Sequence, residues 1–254
     1  MIKESDIIFV TTSMSTKWID YQQKILKDNF PESSFLIVDG SDRWPTPWFY
    51  WIDKIKDSSA KWYVHIDEDC FIENKSEVIR LIQKMEDENI GISAISEAYC
   101  HFRGNNPVAF NSFFLVGRVK DLEGINIDFK SVTFSYDGNN WSNSLGIKFK
   151  EEYVEDFEYV HEKAWPYDKP GSEVEPYYLF CWLMKEKKIK FYYLYPHFDD
   201  RFKSTNPRIE KDSPDLAIHM WYTRLWGSPM DVHGLPNHER YERVENYLRE
   251  KGSI

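Results

Sequence analysis

The chain is poor in cysteine and short of positive charge, and it lacks any long apolar run, internal repeat or low-complexity tract. Its three cysteines, Cys70, Cys100 and Cys181, are widely spaced and form neither a zinc-type pair nor a disulfide framework. Lys and Arg total 32 against 42 Asp and Glu, a formal net charge of −10. That overall balance argues against a duplex-binding surface, though it leaves room for a local basic groove. No basic amphipathic segment suggests a membrane surface. The charged stretch from Met1 to Asp6 runs straight into a strand-like segment. Neither a signal peptide nor a membrane-spanning helix is therefore expected, and a cytoplasmic enzyme is the default.

What is present is an aromatic-rich globular chain. Of 254 residues, 42% are apolar and 17% aromatic, with 16 tyrosines and 10 tryptophans. Such rings fill cores, and they also line sites for sugars and flat bases because they join apolar area to a polar handle. Ile7–Val10, Phe35–Val38, Trp62–Ile66 and Ile90–Ile95 are short β-branched or aromatic runs, each expected to be a buried strand. Between them, Trp18–Phe30, Trp48–Lys56 and Ser76–Glu88 carry helical spacing, with Ser76 as the expected cap of the last. This alternation predicts an α/β fold with a mostly parallel sheet and right-handed crossovers. The second half is less regular. A strand is expected at Phe110–Val116, a loop at Tyr136–Asn143, a helix at Pro176–Lys187 and a strand at Lys190–Leu194. Asp199–Asp215 looks loop-like, Leu216–Trp221 is a short apolar run, and His238–Lys251 looks like a charged surface helix.

In an open sheet of this kind ligands bind outside the carboxyl ends of the strands. Thr11, Asp39 and the run Asp67-Glu68-Asp69 all fall at such ends. Two carboxylates one residue apart at a strand end can reach one hard divalent cation, which keeps room for substrate phosphates. Glu86-Asp87-Glu88 is equally acidic but sits on an expected helix, where a solvated face is the simpler reading.

Here a resemblance becomes specific. Tyr63-Val-His-Ile-Asp-Glu-Asp69 resembles the DxD motif of glycosyltransferases with the GT-A fold. The resemblance implies a single Rossmann-like GT-A domain: a mostly parallel mixed central sheet flanked by helices, plus a C-terminal helical extension. Residues 1–100 would form the nucleotide-sugar and metal-binding half, 101–235 the acceptor half and 236–254 the C-terminal helix. It implies Mn²⁺ or Mg²⁺ held by Asp69, with Asp67 on the ion or on the donor ribose and Glu68 beside them. Ile37-Val-Asp39-Gly-Ser41 is similar to the second-strand end whose aspartate accepts a hydrogen bond from the base. Phe110-Asn111-Ser112 resembles an FNSG-type strand and makes Asn111 a donor contact, although Phe113 stands where the family has glycine. Ile218-His219 resembles the late histidine that completes the metal site, with His197, His233 and His238 as rivals.

An inverting transferase also needs a carboxylate to take the acceptor's proton. Glu173 and Glu175, before the helix at Pro176, are the candidates, with Asp168 a third; Ser172-Glu-Val-Glu175 also fits a helix-capping box. Arg43, Lys17, Arg201 and Arg224 are candidate partners of the donor diphosphate. Trp44, Trp48, Trp221, Tyr222 and Trp226 are candidate stacking rings, or core. The expected partners are a nucleotide-sugar, UDP-linked by family habit, and a glycan or other hydroxyl acceptor, with nucleic acid disfavoured by the charge. Two other functions fit parts of the pattern. One is a metal-dependent phosphatase or phosphotransferase, although its DxD normally follows the first strand. The other is a non-catalytic carbohydrate-binding module.

Overall fold

The computed structural model describes residues 2–14, 16–40, 47–99, 106–125, 134–136, 141–143, 150, 152–155, 160, 176–220 and 236–254. In chain order the elements are β1 (Ile7–Ser13), α1 (Trp18–Asn29), β2 (Ser34–Asp39), α2 (Pro47–Ile55), β3 (Trp62–Asp67), β4 (Cys70–Ile72), α3 (Lys75–Asp87), β5 (Ile92–Ser96) and β6 (Phe110–Arg118). They continue with β7 (Phe134–Tyr136), β8 (Trp141–Asn143), α4 (Glu152–Glu155), α5 (Pro176–Glu186), β9 (Phe191–Tyr193), β10 (Tyr195–Asp199), β11 (Ser204–Arg208), β12 (Ala217–His219) and α6 (Asn237–Glu250).

Six strands form the central sheet, in the order β2-β1-β3-β6-β5-β9. β1 pairs in parallel with β2 and β3, β5 in parallel with β9, and only β6 runs against its neighbours. This is the mostly parallel mixed sheet, Rossmann-like and flanked by helices, that the alternation of runs predicts. The fourth expected strand, β5, does not sit beside β3. The antiparallel β6 is inserted between them.

Side-chain alternation sorts the sheet's residues onto two faces. Ile7, Phe9, Trp62, Val64 and Ile66 join one buried cluster with Trp18 and Leu26 of α1, Val78 and Ile82 of α3, and Tyr241 and Val244 of α6. Ile8, Val10, Tyr63 and Leu115 join the other with Trp51 and Ile55 of α2 and Tyr178 and Trp182 of α5. Burial on both faces explains why these strands read as continuous apolar runs. At Gly117 the packing admits no side chain, because a Cβ there would lie 2.3 Å from the Tyr63 hydroxyl oxygen.

Five expectations need correction. The run Phe35–Val38, expected as a buried strand, lies in the edge strand β2, where only Val38 is buried and Ile37 is 50% exposed. The cap of α3 is Asn74, whose side chain accepts from the Glu77 backbone N–H at 3.3 Å, while Ser76 only donates to Asn74. The expected loop at Tyr136–Asn143 contains the hairpin pairing of β7 with β8. The expected loop at Asp199–Asp215 holds β11, paired with β10 in a second hairpin. Its Ser204, Thr205 and Asn206 are buried polar residues, so a strand was hidden behind loop-like composition. Finally, α6 is no mere surface helix, since Arg240, Tyr241, Val244 and Leu248 are buried. Its Glu245 accepts from Lys17 (3.2 Å) and Tyr21 (3.3 Å) of α1, which ties the two helices together. No helix among the described residues is long and apolar enough to cross a membrane.

Candidate metal and donor site

The acidic run lies where β3 ends, and the chain then reverses at once into β4. β4 pairs antiparallel with β12, which places His219 opposite Cys70. The Met220 backbone N–H donates to the Asp69 carbonyl at 2.9 Å and extends that pairing. The result brings Asp67, Asp69 and His219 together, with one ligand atom from each within 4.8 Å of the others. His219 Nε2 lies 3.2 Å from Asp69 Oδ1. Asp69 and His219 are buried and Asp67 is half-buried.

These residues fit a hard divalent ion. Metal–oxygen distances near 2.1 Å put two donors on opposite sides of one ion about 4.2 Å apart, and no two ligand atoms here are more than 4.8 Å apart. Two carboxylates and one imidazole suit Mn²⁺ and Mg²⁺ better than a soft ion. The nearby Cys70 thiol is pushed well above its ordinary value by burial, and further by the charges of Asp69 and Asp67.

The turn is held from beneath by a residue that the sequence did not mark. Gln22 of α1 is fully buried. Its side-chain amide donates to the carbonyl of Asp67 and, at 3.2 Å, to that of Cys70, so it clamps both sides of the turn. Its carbonyl accepts from Thr11 at 2.8 Å. The available signal was a polar residue on the apolar stripe of α1, between Trp18 and Leu26. His65 is a second such residue. Its Nδ1–H donates to the Ser112 carbonyl at 2.8 Å, which leaves Nε2 to accept from Thr12 Oγ1 at 3.2 Å. Burial lowers its pKa to about 4, against a weaker opposing effect of the Ser112 bond. The neutral ring thus pins β1, β3 and β6 just before Asp67. Phe113, noted in the sequence only as a departure from the family's glycine, has a structural part here: its ring stacks on His219 with centroids 4.2 Å apart and planes 12° from parallel.

The other expected site residues separate into groups. Thr11 is buried and turns its hydroxyl onto Gln22, and Glu68 is buried and accepts from Ser13 Oγ at 2.8 Å. Both brace the turn. Asp39 ends β2 on the same edge and is exposed. Asn111 is buried at the start of β6, where its side chain accepts from the Phe113 N–H at 3.5 Å. Lys17 pairs with Glu245, and Arg201 forms a two-pronged pair with Asp199. His197 is bonded to Asp215 at 2.8 Å, and His238 is exposed on α6. Glu173, Glu175, Asp168, Arg43, Trp44, Trp221, Tyr222, Arg224, Trp226, His233, Cys100 and the side chain of Trp48 lie outside the described residues.

No protein-family model and no curated protein matches the chain. Among solved structures, it is similar to a glycosyltransferase involved in the glycosylation of the major capsid of PBCV-1, at 17% identity and a TM-score of 0.35. That match covers 46% of this chain and 62% of the other, so the chain spans less than two thirds of that protein's length. A second is A197 from STIV, at 12% identity and a TM-score of 0.39, over 48% of this chain and 69% of that one. A third is mouse xyloside xylosyltransferase 1, at 10% identity and a TM-score of 0.34, over 74% and 84%. Likenesses this shallow carry no argument about activity.

Proposed function

We propose that the chain is a metal-dependent glycosyltransferase that moves a sugar from a nucleoside-diphosphate-sugar, UDP-linked by preference, to a hydroxyl of a glycan or other acceptor. The observation that carries this reading is the convergence of Asp67, Asp69 and His219 at the carboxyl edge of a mostly parallel sheet. In this reading the three residues hold Mn²⁺ or Mg²⁺, which supplies Lewis-acid stabilisation of the departing diphosphate. Asp39, exposed two strands away on the same edge, accepts from the nucleoside. Gln22 and Glu68 keep the acidic turn in place, so that little is lost to reorganisation when the donor binds. The acceptor oxygen forms its bond to the anomeric carbon as the bond to the diphosphate breaks. The acceptor's proton passes to a carboxylate, assigned to Glu173 or Glu175.

The test is a thermal-shift titration with UDP, GDP, CDP and ADP, each with and without Mn²⁺, on wild type and Asp69→Ala. A ligand that binds only the folded form raises its stability, by about 2.7 kcal/mol at 100 times Kd. The reading requires a shift that needs both metal and one nucleotide and that vanishes in the variant. A metal-independent shift, or none with any nucleotide, sinks it.

A further inference from the structure

The two edges of the central sheet are finished differently. At one edge β9 is three residues long, and Lys190 just before it donates to the Glu88 carbonyl at 3.2 Å. A short strand with a charged flank keeps an edge from pairing with another chain. The other edge, β2, has no such guard. Ser34–Asp39 pairs with β1 over six consecutive residues without a bulge, and its body Phe35-Leu-Ile-Val38 holds neither charge nor proline. Among the described residues Met14 and Ile37 are the large apolar side chains left exposed, and Ile37 is the more exposed at 50%.

The edge also offers backbone groups. The Gly40 N–H bonds the Ser13 carbonyl, so the even-numbered residues of β2 serve β1. By the alternation of a parallel pair, the N–H and C=O of Phe35 and Ile37 turn outward. Ile37 pairs with Thr11, whose side chain reaches Gln22 and Gln23 of α1. Ile37 therefore lies on the α1 face of the sheet, level with Gln23.

Along this edge α1 carries a charge pattern. Lys17, Tyr21 and Lys24 form the stripe of α1 that is bonded to α6 and the residues after it. At about 100° per residue, Asp20 and Lys27 fall on the other side of that stripe, with Gln23 and above the β2 edge. Both are exposed, and neither forms an ion pair among the described residues. The helix dipole is the plain alternative, since Asp20 stands in the first turn and Lys27 in the last. The dipole requires neither an unguarded edge beneath them nor any particular spacing. Measured from Gln23, the two lie about 4.5 Å and 6 Å away along the helix, in opposite directions.

We propose that a second copy of the chain docks on this edge, its β2 antiparallel to the first about a two-fold axis at Ile37. Ile37 of each copy then faces Ile37 of the other, and the pair exchanges both backbone hydrogen bonds and covers its exposed side chains. The axis reverses the order along α1. It brings Asp20 of one copy to within about 1.5 Å, along the helix, of the level of Lys27 of the other. Because α1 crosses back over β1 and β2, its axis stands about 5 Å from the two-fold, and the paired helices are about 10 Å apart, the spacing of packed helices. A two-fold at Phe35 would instead separate the opposite charges by more than about 10 Å, so strand and helix select one register. The interface does not depend on the glycosyltransferase reading, and either can fail alone.

The experiment is sedimentation equilibrium, from dilute solution to the solubility limit, on wild type, Ile37→Lys, Asp20→Lys and the double variant Asp20→Lys/Lys27→Asp. Wild type should reach twice the 30.4 kDa of the chain. Ile37→Lys sets two like charges on the axis and should raise the dissociation constant at least about tenfold. Its position is exposed, so the monomer should stay folded by circular dichroism. Asp20→Lys should weaken the dimer about tenfold, and the double variant should return it to within about threefold of wild type, because exchanging both signs keeps the pairs. Dipole effects alone would make the double variant the least stable and leave the mass unmoved. The proposal is overturned by a monomer at every concentration, which would leave the edge to an extended segment of another protein. It is equally overturned by a dimer indifferent to Ile37→Lys, or by a double variant no tighter than Asp20→Lys.

Discussion

Two strand ends on one edge of the sheet, those of β3 and β2 on either side of β1, are built in opposite ways. The end of β3 is pinned. Gln22 clamps it from below, β12 pairs with the strand that follows it, and Phe113 stacks on the histidine brought beside it. The end of β2 is open. Asp39 is exposed, and the adjacent anchor is the Gly40 N–H donating to the Ser13 carbonyl at 2.7 Å. The difference teaches that a charged turn must be over-determined where its carboxylates are crowded and half-buried. A carboxylate at an exposed strand end needs no such bracing.

The comparison can be broken by substitution. The largest effect is expected at Phe113, which is buried. Phe113→Gly, which installs the residue expected from the resemblance, removes the stack on His219 and leaves a cavity. It should cost about 3–5 kcal/mol in urea unfolding. Retention of full stability would mean that His219 is fixed by its strand alone. Next comes Gln22→Leu, which keeps most of the volume and strips the turn of its clamp. Two backbone carbonyls lose their donor, and a loss of about 2–3 kcal/mol is expected. A neutral result would show that β12 suffices.

A smaller effect, dependent on pH, is expected behind β12. Asp215 accepts from His197 and from Asn206 (2.8 Å each) and pairs with Arg208, and Asn206 also donates to Asp199 at 3.5 Å. Burial alone would raise the carboxyl pKa of Asp199, but the hydrogen bonds and charge of Arg201 outweigh it and hold it below the usual value. A depressed carboxylate stabilises above its unfolded pKa of about 3.9 and loses that contribution as pH falls through the folded value. Asp199→Asn should therefore cost about 1–2 kcal/mol at pH 7, and the gap from wild type should shrink below about pH 4. A gap that is flat down to pH 3 would remove Asp199 from the acid response. The smallest stability effect belongs to the open end. Asp39→Ala should change unfolding by less than about 0.5 kcal/mol. In the nucleotide titration it should still weaken binding by about tenfold, and an unchanged affinity would take Asp39 out of the donor site.

The same contrast explains what could be read without coordinates. Strands buried on both faces announce themselves as apolar runs, so β1 and β3 are found within a few residues of where the sequence puts them, and the edge strand β2 is found from its apolar run although only Val38 of it is buried. Asp67 and Asp69 were legible because a strand ends directly before them. His219 could be named only from a resemblance, since nothing in a three-residue strand says that it pairs with β4. Gln22, His65 and Phe113 act through buried contacts with segments far away in sequence, and no local pattern encodes those. The β10–β11 hairpin was missed for a related reason. Its inward side chains are polar and are satisfied by one another, so hydropathy carried no sign of burial.

The contact between Asp69 and His219 joins positions 150 residues apart. A loop of that span closes late, because the entropy of bringing its ends together must be met before the contact gives anything back. The sheet's first strands can therefore form with the acidic turn incomplete, and the triad exists only once β12 has docked. Ion binding at this triad would thus serve as a reporter of finished folding, silent in every species that has paired β1, β2 and β3 but not yet docked β12.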